Sequence, residues 1–289
     1  MKFEIIQQTR SFAKEHMNSY DSSHDYEHVL RVVRNSKTIF RNELESGRVE
    51  NIILMVDKIE LIYLIEMAAL LHDVNDHKYN KPIDLGAFLK DQGINEKDAE
   101  FILNELKNGD IQKINNMVNE NQFKYLVEMS DSLNGSKQIG KVTKLNQFLK
   151  KQGMSENQIN MILYVVENVS FSKERKNGTP NFIKSEPFDS PKNTIARFIL
   201  NIVRDADRLD AIGSIGIART FIFSSKTGNP IYEPLKELKD NKKSTVGHFY
   251  EKLLLLKDGM KNQHAKKMAH ERHEIMKLFL KHLNQEIKI

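Results

Sequence analysis

The chain has 289 residues, enough for one large domain or two small ones around a substantial core. Hydrophobic residues make up 39% and charged residues 29%, with only 13 Gly and 6 Pro, which excludes a disordered or turn-rich chain and predicts an all-α protein. The 44 Lys and Arg face 39 Asp and Glu spread along the same segments, so a net charge of +5 argues against specific nucleic-acid binding. The absence of cysteine excludes disulfides and Cys-rich zinc sites.

The first helix is expected from about residue 2 to 19, where Ile5, Ile6, Phe12, Ala13, His16 and Met17 recur at helical spacing before the polar turn "SYDSSH". No apolar run of about 7–15 residues precedes or overlaps it, so no secretory signal is expected. In "HDYEHVLRVVRNSKTIF" the residues Val29, Val32, Val33, Ser36, Ile39 and Phe40 form one stripe, and His28 on its edge is expected to point inward. Asp57 and Glu60 suit a capping box for "KIELIYLIEMAALLH", a helix apolar on nearly every side and therefore surrounded by others. Asp57, Lys58, Glu60 and Glu66 interrupt the apolar region 52–71, so it reads as a core helix rather than a membrane span. It ends in His72-Asp73, a polar pair delivered from the middle of a bundle to a surface or cavity.

Beyond it lies an internal repeat. "LGAFLKDQGINEKDAEFIL" (85–103) and "LNQFLKKQGMSENQINMIL" (145–163) align without gaps at an offset of 60, with 9 of 19 positions identical, which favours a duplicated helix-turn-helix piece. Residues 176–193, "KNGTPNFIKSEPFDSPKN", read as a loop long enough for a flap. One helix is expected from Thr194 through "IARFILNIVRDADRLDAIGSIGIARTF", and, after the turn "SSKTGNPIYEP", long amphipathic helices to Leu283.

His28, His72, Asp73 and one aspartate of "RDADRLD" offer four ligands to one metal. Imidazoles with carboxylates suit Mn, Fe, Co, Ni or Mg with positions left for water and substrate. Such an ion lowers the pKa of a water and polarises a phosphoryl oxygen. On the residues alone, a capped, solvated helix end and a core histidine remain the competing readings. "HERHE" (270–274) lacks the HExxH order and is expected to be solvated. Gly213 and Gly216 follow no strand, so they suit close helix packing better than a phosphate loop.

The order of a His, a spaced His-Asp pair and a distant Asp resembles the HD-domain metal-dependent phosphohydrolases. The blocks "SHDYEHVLRV", "AALLHDVNDHKY", "ENVSFSKE", "VRDADRLDAIGSIGIARTF" and "HFYEKLLLLKDGM…AKKMAHERHEIMKLFL" look like the YpgQ/YedJ-like subgroup. The resemblance implies a single HD-type helical domain over 1–289, with a helical hairpin insertion at about 85–144 that the compact relatives lack. It also implies metal ligands at His28, His72, Asp73 and Asp207, where Asp207 stands directly before Arg208 and three before Asp210. Asp205 stays open as an alternative ligand or, more simply, a surface acid. Asp76 falls where relatives keep an acid that assists the water, and it could equally cap the next turn. Lys78, Arg208, Lys173, His24 and Asp210, with Arg219 behind them, are candidates for contacts to substrate, and Asp210 could alternatively orient a ligand.

The activity implied is hydrolysis of a nucleotide, with a nucleoside triphosphate pyrophosphohydrolase first. A 5′-nucleotidase, a dNTP triphosphohydrolase, an alarmone hydrolase and a catalytically silent nucleotide-binding scaffold are the alternatives. The expected cofactor is one divalent ion, Mn, Co, Ni, Fe or Mg. The expected partner is a nucleotide or another small phosphorylated substrate, with no membrane, a possible homo-oligomer and a cytoplasmic location.

Overall fold

A computed structural model of the chain describes residues 2–17, 25–74, 89–90, 93–108, 111–114, 117–119, 139–234 and 237–287, and every regular element among them is helical. The expected turn 19–24 with His24, and Asp76 and Lys78 beyond the His-Asp pair, lie outside the described residues. The chain divides into two compact units, Met1–Val74 with Asn160–Ile289, and Asn75–Ile159.

The first unit begins with α1 (Lys2–Met17), α2 (Tyr26–Glu45), a single turn α3 (Glu50–Ile53) and α4 (Lys58–Leu71). The stripe of α2 is buried as its spacing requires, with Val29, Val32 and Ile39 fully enclosed. Asp57 caps α4 by accepting from the amides of Ile59 and Glu60. The Glu60 side chain reaches Lys2 at 2.6 Å, which ties α1 to the start of α4. Ten residues of α4 are buried, so this helix is core on every side. Its one buried acid, Glu66, is met by Arg10 at 2.7 Å and Lys37 at 2.5 Å, as burial of a charge demands. Each fully buried Leu or Ile contributes about 1.5–3 kcal/mol, so α4 anchors the unit.

The unit resumes in α7 (Glu156–Asn168, from Asn160 on) and continues through α8 (Phe171–Asn177) and α9 (Pro191–Asp210). It then runs through α10 (Gly213–Thr227), α11 (Thr245–Glu251) and α12 (Gln263–Ile287), with 3₁₀ turns at Leu238–Asp240 and Leu253–Gly259. Helix α9 packs on both α2 and α4, while α12 lies along α9 and α10.

Several expectations shift here. Helix α9 starts at Pro191 rather than Thr194, because Ser190 caps it and Pro191 takes the first helical position, where its missing N–H costs nothing. It also stops at Asp210 instead of running on to Phe221, because the backbone turns extended at Ile212 and left-handed at Gly213, where α10 begins anew. Helix α8 occupies the first residues of the expected loop. The rest of that loop is pinned rather than free: Asn193 accepts from the amide of Ile183 at 2.7 Å and donates to the carbonyls of Ile183 and Pro187, and Tyr164 donates to Pro180. These bonds tie the middle of the loop, whose length suggested a flap, to α7 and α9. Past α10 the chain breaks into short helices before one long one, instead of running in long helices throughout.

The second unit contains α5 (Glu96–Asn108), a 3₁₀ turn at Ile111–Ile114, α6 (Ile139–Lys151) and the first residues of α7. The range expected for inserted material, 85–144, falls inside it. Leu89, Ala99, Ile102, Leu106 and Ile114 form its buried cluster. The repeat has a matching local geometry in both copies. The amides of Gly93 and Ile94 donate to the carbonyls of Lys90 and Leu89, and those of Gly153 and Met154 to Lys150 and Leu149. Both glycines sit in the left-handed region, at φ 77° and 73°, which a Schellman turn requires. The shared "QG" is thus a helix stop used twice.

Candidate metal centre

The centre is built on the three helices that make the core of the first unit. Asp25 caps α2 through the His28 amide at 3.0 Å, which puts His28 in the first turn, directed inward at 1% exposure. His72 terminates α4 and is 3% exposed, and Asp73 follows it. Asp207 and Asp210 come from the last turn of α9, three residues apart and hence on one face.

The His28 and His72 Nε2 atoms stand 3.2 Å apart. Asp73 Oδ2 lies 3.3 Å from His28 Nε2 and 3.4 Å from His72 Nε2, and Asp207 Oδ1 lies at 3.5 and 3.9 Å from the same two atoms. Ligand atoms about 2.1 Å from a common ion stand about 3.0 Å apart at right angles and about 3.4 Å apart at tetrahedral angles. The separations of 3.2–3.4 Å among His28, His72 and Asp73 are of that size, and those to Asp207, at 3.5 and 3.9 Å, are somewhat longer. His28, His72 and Asp207 each offer one ligand atom within 4.8 Å of the others.

The other ring nitrogens decide which atoms face the centre. His28 Nδ1 lies 2.7 Å from Asp210 Oδ2, and His72 Nδ1 lies 2.8 Å from the Ala69 carbonyl. A carbonyl and a carboxylate accept only, so both Nδ1 atoms carry hydrogen, and in neutral rings both Nε2 lone pairs are turned on one another. Two acceptors at this distance repel unless a cation or a shared proton stands between them. This donor set fits a divalent metal, with His28 and His72 as neutral nitrogen ligands and Asp73 and Asp207 supplying charge. With no ion between them, the carboxylates draw a proton to the same place: burial opposes a charged His72, but Asp73 and Asp207 outweigh it and raise the imidazole to about 9. Burial likewise opposes ionisation of Asp73, and the two histidines overcome it to hold the carboxyl well below its usual range.

Asp210 is 2% exposed and is enclosed by donors. It accepts from His28, from Arg31 Nε at 2.7 Å and from Arg219 Nη1 at 2.8 Å. Burial raises its pKa, but hydrogen bonds from His28 and Arg31 more than offset this and keep it ionised. Placed among the candidate substrate contacts by its sequence position, Asp210 instead meets the rear of His28 and sets its ring. Arg219 serves Asp210 in the same way. Arg31 was not singled out in the sequence, although it stands one turn after His28 on the same face, which is the spacing that would have found it.

Two other candidates are engaged elsewhere. Arg208 is 1% exposed; it pairs with Glu174 and donates to the Gly259 carbonyl at 2.8 Å. Lys173 donates to the Glu167 carbonyl at 2.6 Å, at the end of α7. Asp205, left open as a surface acid or a ligand, is neither: it is fully buried and accepts from the amides of Lys261 and Asn262, where it caps the approach to α12. Gly213, at φ 76°, lies so close to α12 that an added Cβ would stand 3.0 Å from the Arg272 stem, in keeping with a packing role. His270 is exposed as expected, whereas burial of His273 lowers its pKa. Among the described residues, no helix is long and apolar enough to cross a membrane.

Comparison with known proteins follows the same lines. No family model matches the chain. A Bacillus subtilis protein called uncharacterized protein YpgQ is 44% identical over 85 residues, which take in 29% of this chain and 38% of the relative. The match thus spans less than half of that relative's length. Over whole chains, the crystal structure of B. subtilis YpgQ in complex with ADP aligns with a TM-score of 0.55 at 20% identity, covering 99% of this chain and 96% of that one. An HD-superfamily hydrolase from Bacillus thuringiensis aligns with a TM-score of 0.56 at 24% identity, over 99% and 98% of the two chains. The Lin1889 protein of Listeria innocua aligns at 0.55 and 24%, over 100% and 98%. These likenesses show the fold.

Proposed function

We propose that this chain, which has the HD-domain fold with a YpgQ-like stretch, is a metal-dependent phosphohydrolase of nucleotides, and more narrowly a nucleoside triphosphate pyrophosphohydrolase. The observation that carries the reading is the pair of Nε2 lone pairs set face to face at 3.2 Å between two carboxylates. A structural polar cluster pairs donors with acceptors, whereas this one gathers acceptors around a point. The ADP complex of the YpgQ neighbour supports a nucleotide as substrate class.

His28, His72, Asp73 and Asp207 would hold a divalent ion, which when bound would supply Lewis-acid chemistry to a phosphate and to the attacking water. The chain's own residues do the rest. Asp210 accepts the Nδ1 proton of His28 and so keeps Nε2 free to bind, while Arg31 and Arg219 neutralise Asp210. Asp76 takes a proton from the attacking water, a role worth about 10²–10⁴-fold in rate. Lys78 and His24, which the sequence pattern offers to phosphate, would complete the set. In the pyrophosphohydrolase reaction the water oxygen joins the α-phosphorus, the bond to the bridging oxygen breaks, and pyrophosphate leaves with the bridging oxygen.

The test is turnover of a panel of nucleoside triphosphates, diphosphates and monophosphates by metal-stripped protein resupplied with Mn, Co, Ni, Fe or Mg. Metal-dependent pyrophosphate release with a monophosphate product is expected. Orthophosphate or tripolyphosphate as the product would move the chain to another phosphohydrolase class. Tight nucleotide binding with no product under any metal would make it a scaffold.

A further inference from the structure

Behind the metal centre, α2, α9, α10 and α12 line a half-open cavity of about 300 Å³, with Arg31, Arg34, Asp210, Met268 and Arg272 among its walls. It is separate from the centre: none of His28, His72, Asp73 and Asp207 lines it, and Asp210 touches His28 on the Nδ1 side, away from the facing Nε2 atoms. Its volume is at the lower end of the small-ligand range of about 300–1,000 Å³.

Charge is unbalanced there. Three guanidiniums share one carboxylate, and Asp210 already accepts from Arg31, Arg219 and His28. Arg34 stands three residues after Arg31 on the same face of α2, exposed at the cavity's rim. Arg272 donates to the Leu209 carbonyl, and its stem passes over Gly213, where a Cβ would leave it only 3.0 Å. The glycine thus admits the third arginine to the cavity wall. Guanidinium forks lining a concave, partly open site can bind a tetrahedral oxyanion in bidentate fashion.

We propose that this cavity is a second anion site, taking inorganic phosphate or pyrophosphate, distinct from the metal centre. Because Arg31 lines the cavity and also grips Asp210, an anion bound there competes with Asp210 for that guanidinium. Occupancy therefore changes the support behind His28 without touching a metal ligand. Binding itself does not depend on the phosphohydrolase reading.

The test is titration of the chelator-stripped full chain with phosphate and with pyrophosphate, followed by calorimetry, for wild type, Arg34→Glu and Asp207→Asn. Arg34 is exposed, so its substitution leaves the fold intact, which an unchanged thermal unfolding curve verifies. Saturable binding in wild type, weakened about tenfold or more in Arg34→Glu and retained in Asp207→Asn, is the expected result. Absence of saturable binding in wild type would overturn the site. So would binding that survives Arg34→Glu but is lost in Asp207→Asn, since the anion would then sit at the metal centre.

Discussion

Helix α9 presents two assemblies of buried charge on different faces, and they are built on opposite rules. On one face, Arg204 gives its guanidinium to the Asn168 carbonyl at 2.9 and 2.6 Å, to Thr179 at 2.7 Å and to Glu174 at 3.2 Å. Arg208 and Lys261 join the same glutamate, and Asp205 takes the amides ahead of α12. Donors there meet acceptors, Arg208 Nε being the exception among buried side-chain atoms of that group. On the other face, Asp207 joins two imidazole lone pairs and Asp73, so acceptors meet acceptors. The first arrangement holds the fold together. The second is tolerable only with a cation or a proton among its acceptors, which is why the proposed function rests on it.

The largest expected effect comes from breaking the second assembly. Asp207→Asn should lower metal-dependent turnover by more than about 10²–10³-fold, the usual cost of removing one preorganised charge stabiliser, and leave the unfolding midpoint close to that of wild type. Turnover unchanged in metal-saturated Asp207→Asn would remove this residue from the centre. Glu174→Gln attacks the first assembly and should do the reverse. It leaves the guanidiniums of Arg204 and Arg208, each 1% exposed, without their countercharge, at a cost of about 3 kcal/mol read from denaturant midpoints. Turnover per folded molecule should hold.

Asp210→Asn tests the link between orientation and binding. Metal affinity measured by calorimetry should fall about 10–100-fold, with activity recovered at excess metal, because the ligands themselves remain. An affinity equal to wild type would show that Asp210 does not set the His28 ring.

The smallest effect is a pH dependence. Burial raises the pKa of Glu174, but Arg208 and Arg204 more than offset this and hold it below its usual range. A carboxyl depressed in the folded state contributes stability above its unfolded pKa of about 4.3 and loses it as pH falls through the folded value. The stability gap between wild type and Glu174→Gln should therefore be constant near neutrality and narrow in acid. A gap that widens in acid would reverse the sign assigned to the pair.

Much of this was readable in the chain. The stripe Val29 to Phe40 and the unbroken apolar run of α4 state which helices are buried, because periodicity reports directly on facing surfaces. The order His28, His72-Asp73, Asp207 resembles a known family, and helical spacing separates Asp207 and Asp210 from Asp205. Other features had signals that went unused: Ser190-Pro191 is a cap followed by a first-turn proline, and Arg31 sits one turn beyond His28. The destinations of Arg208, Lys173 and Asp205 had no such signal, since their partners lie in other elements of the chain.

The sequence by itself determined the helices, their caps and stops, and the residue types available to a cation, because each depends on neighbours within a turn or two. Only the tertiary structure decided that His28 Nδ1 meets Asp210 across 182 residues, that both Nε2 atoms then face one another, and that Arg208 turns toward Glu174. Those outcomes depend on how α2, α4 and α9 cross, and a crossing is settled by the packing of whole helix faces, which no local stretch of sequence encodes.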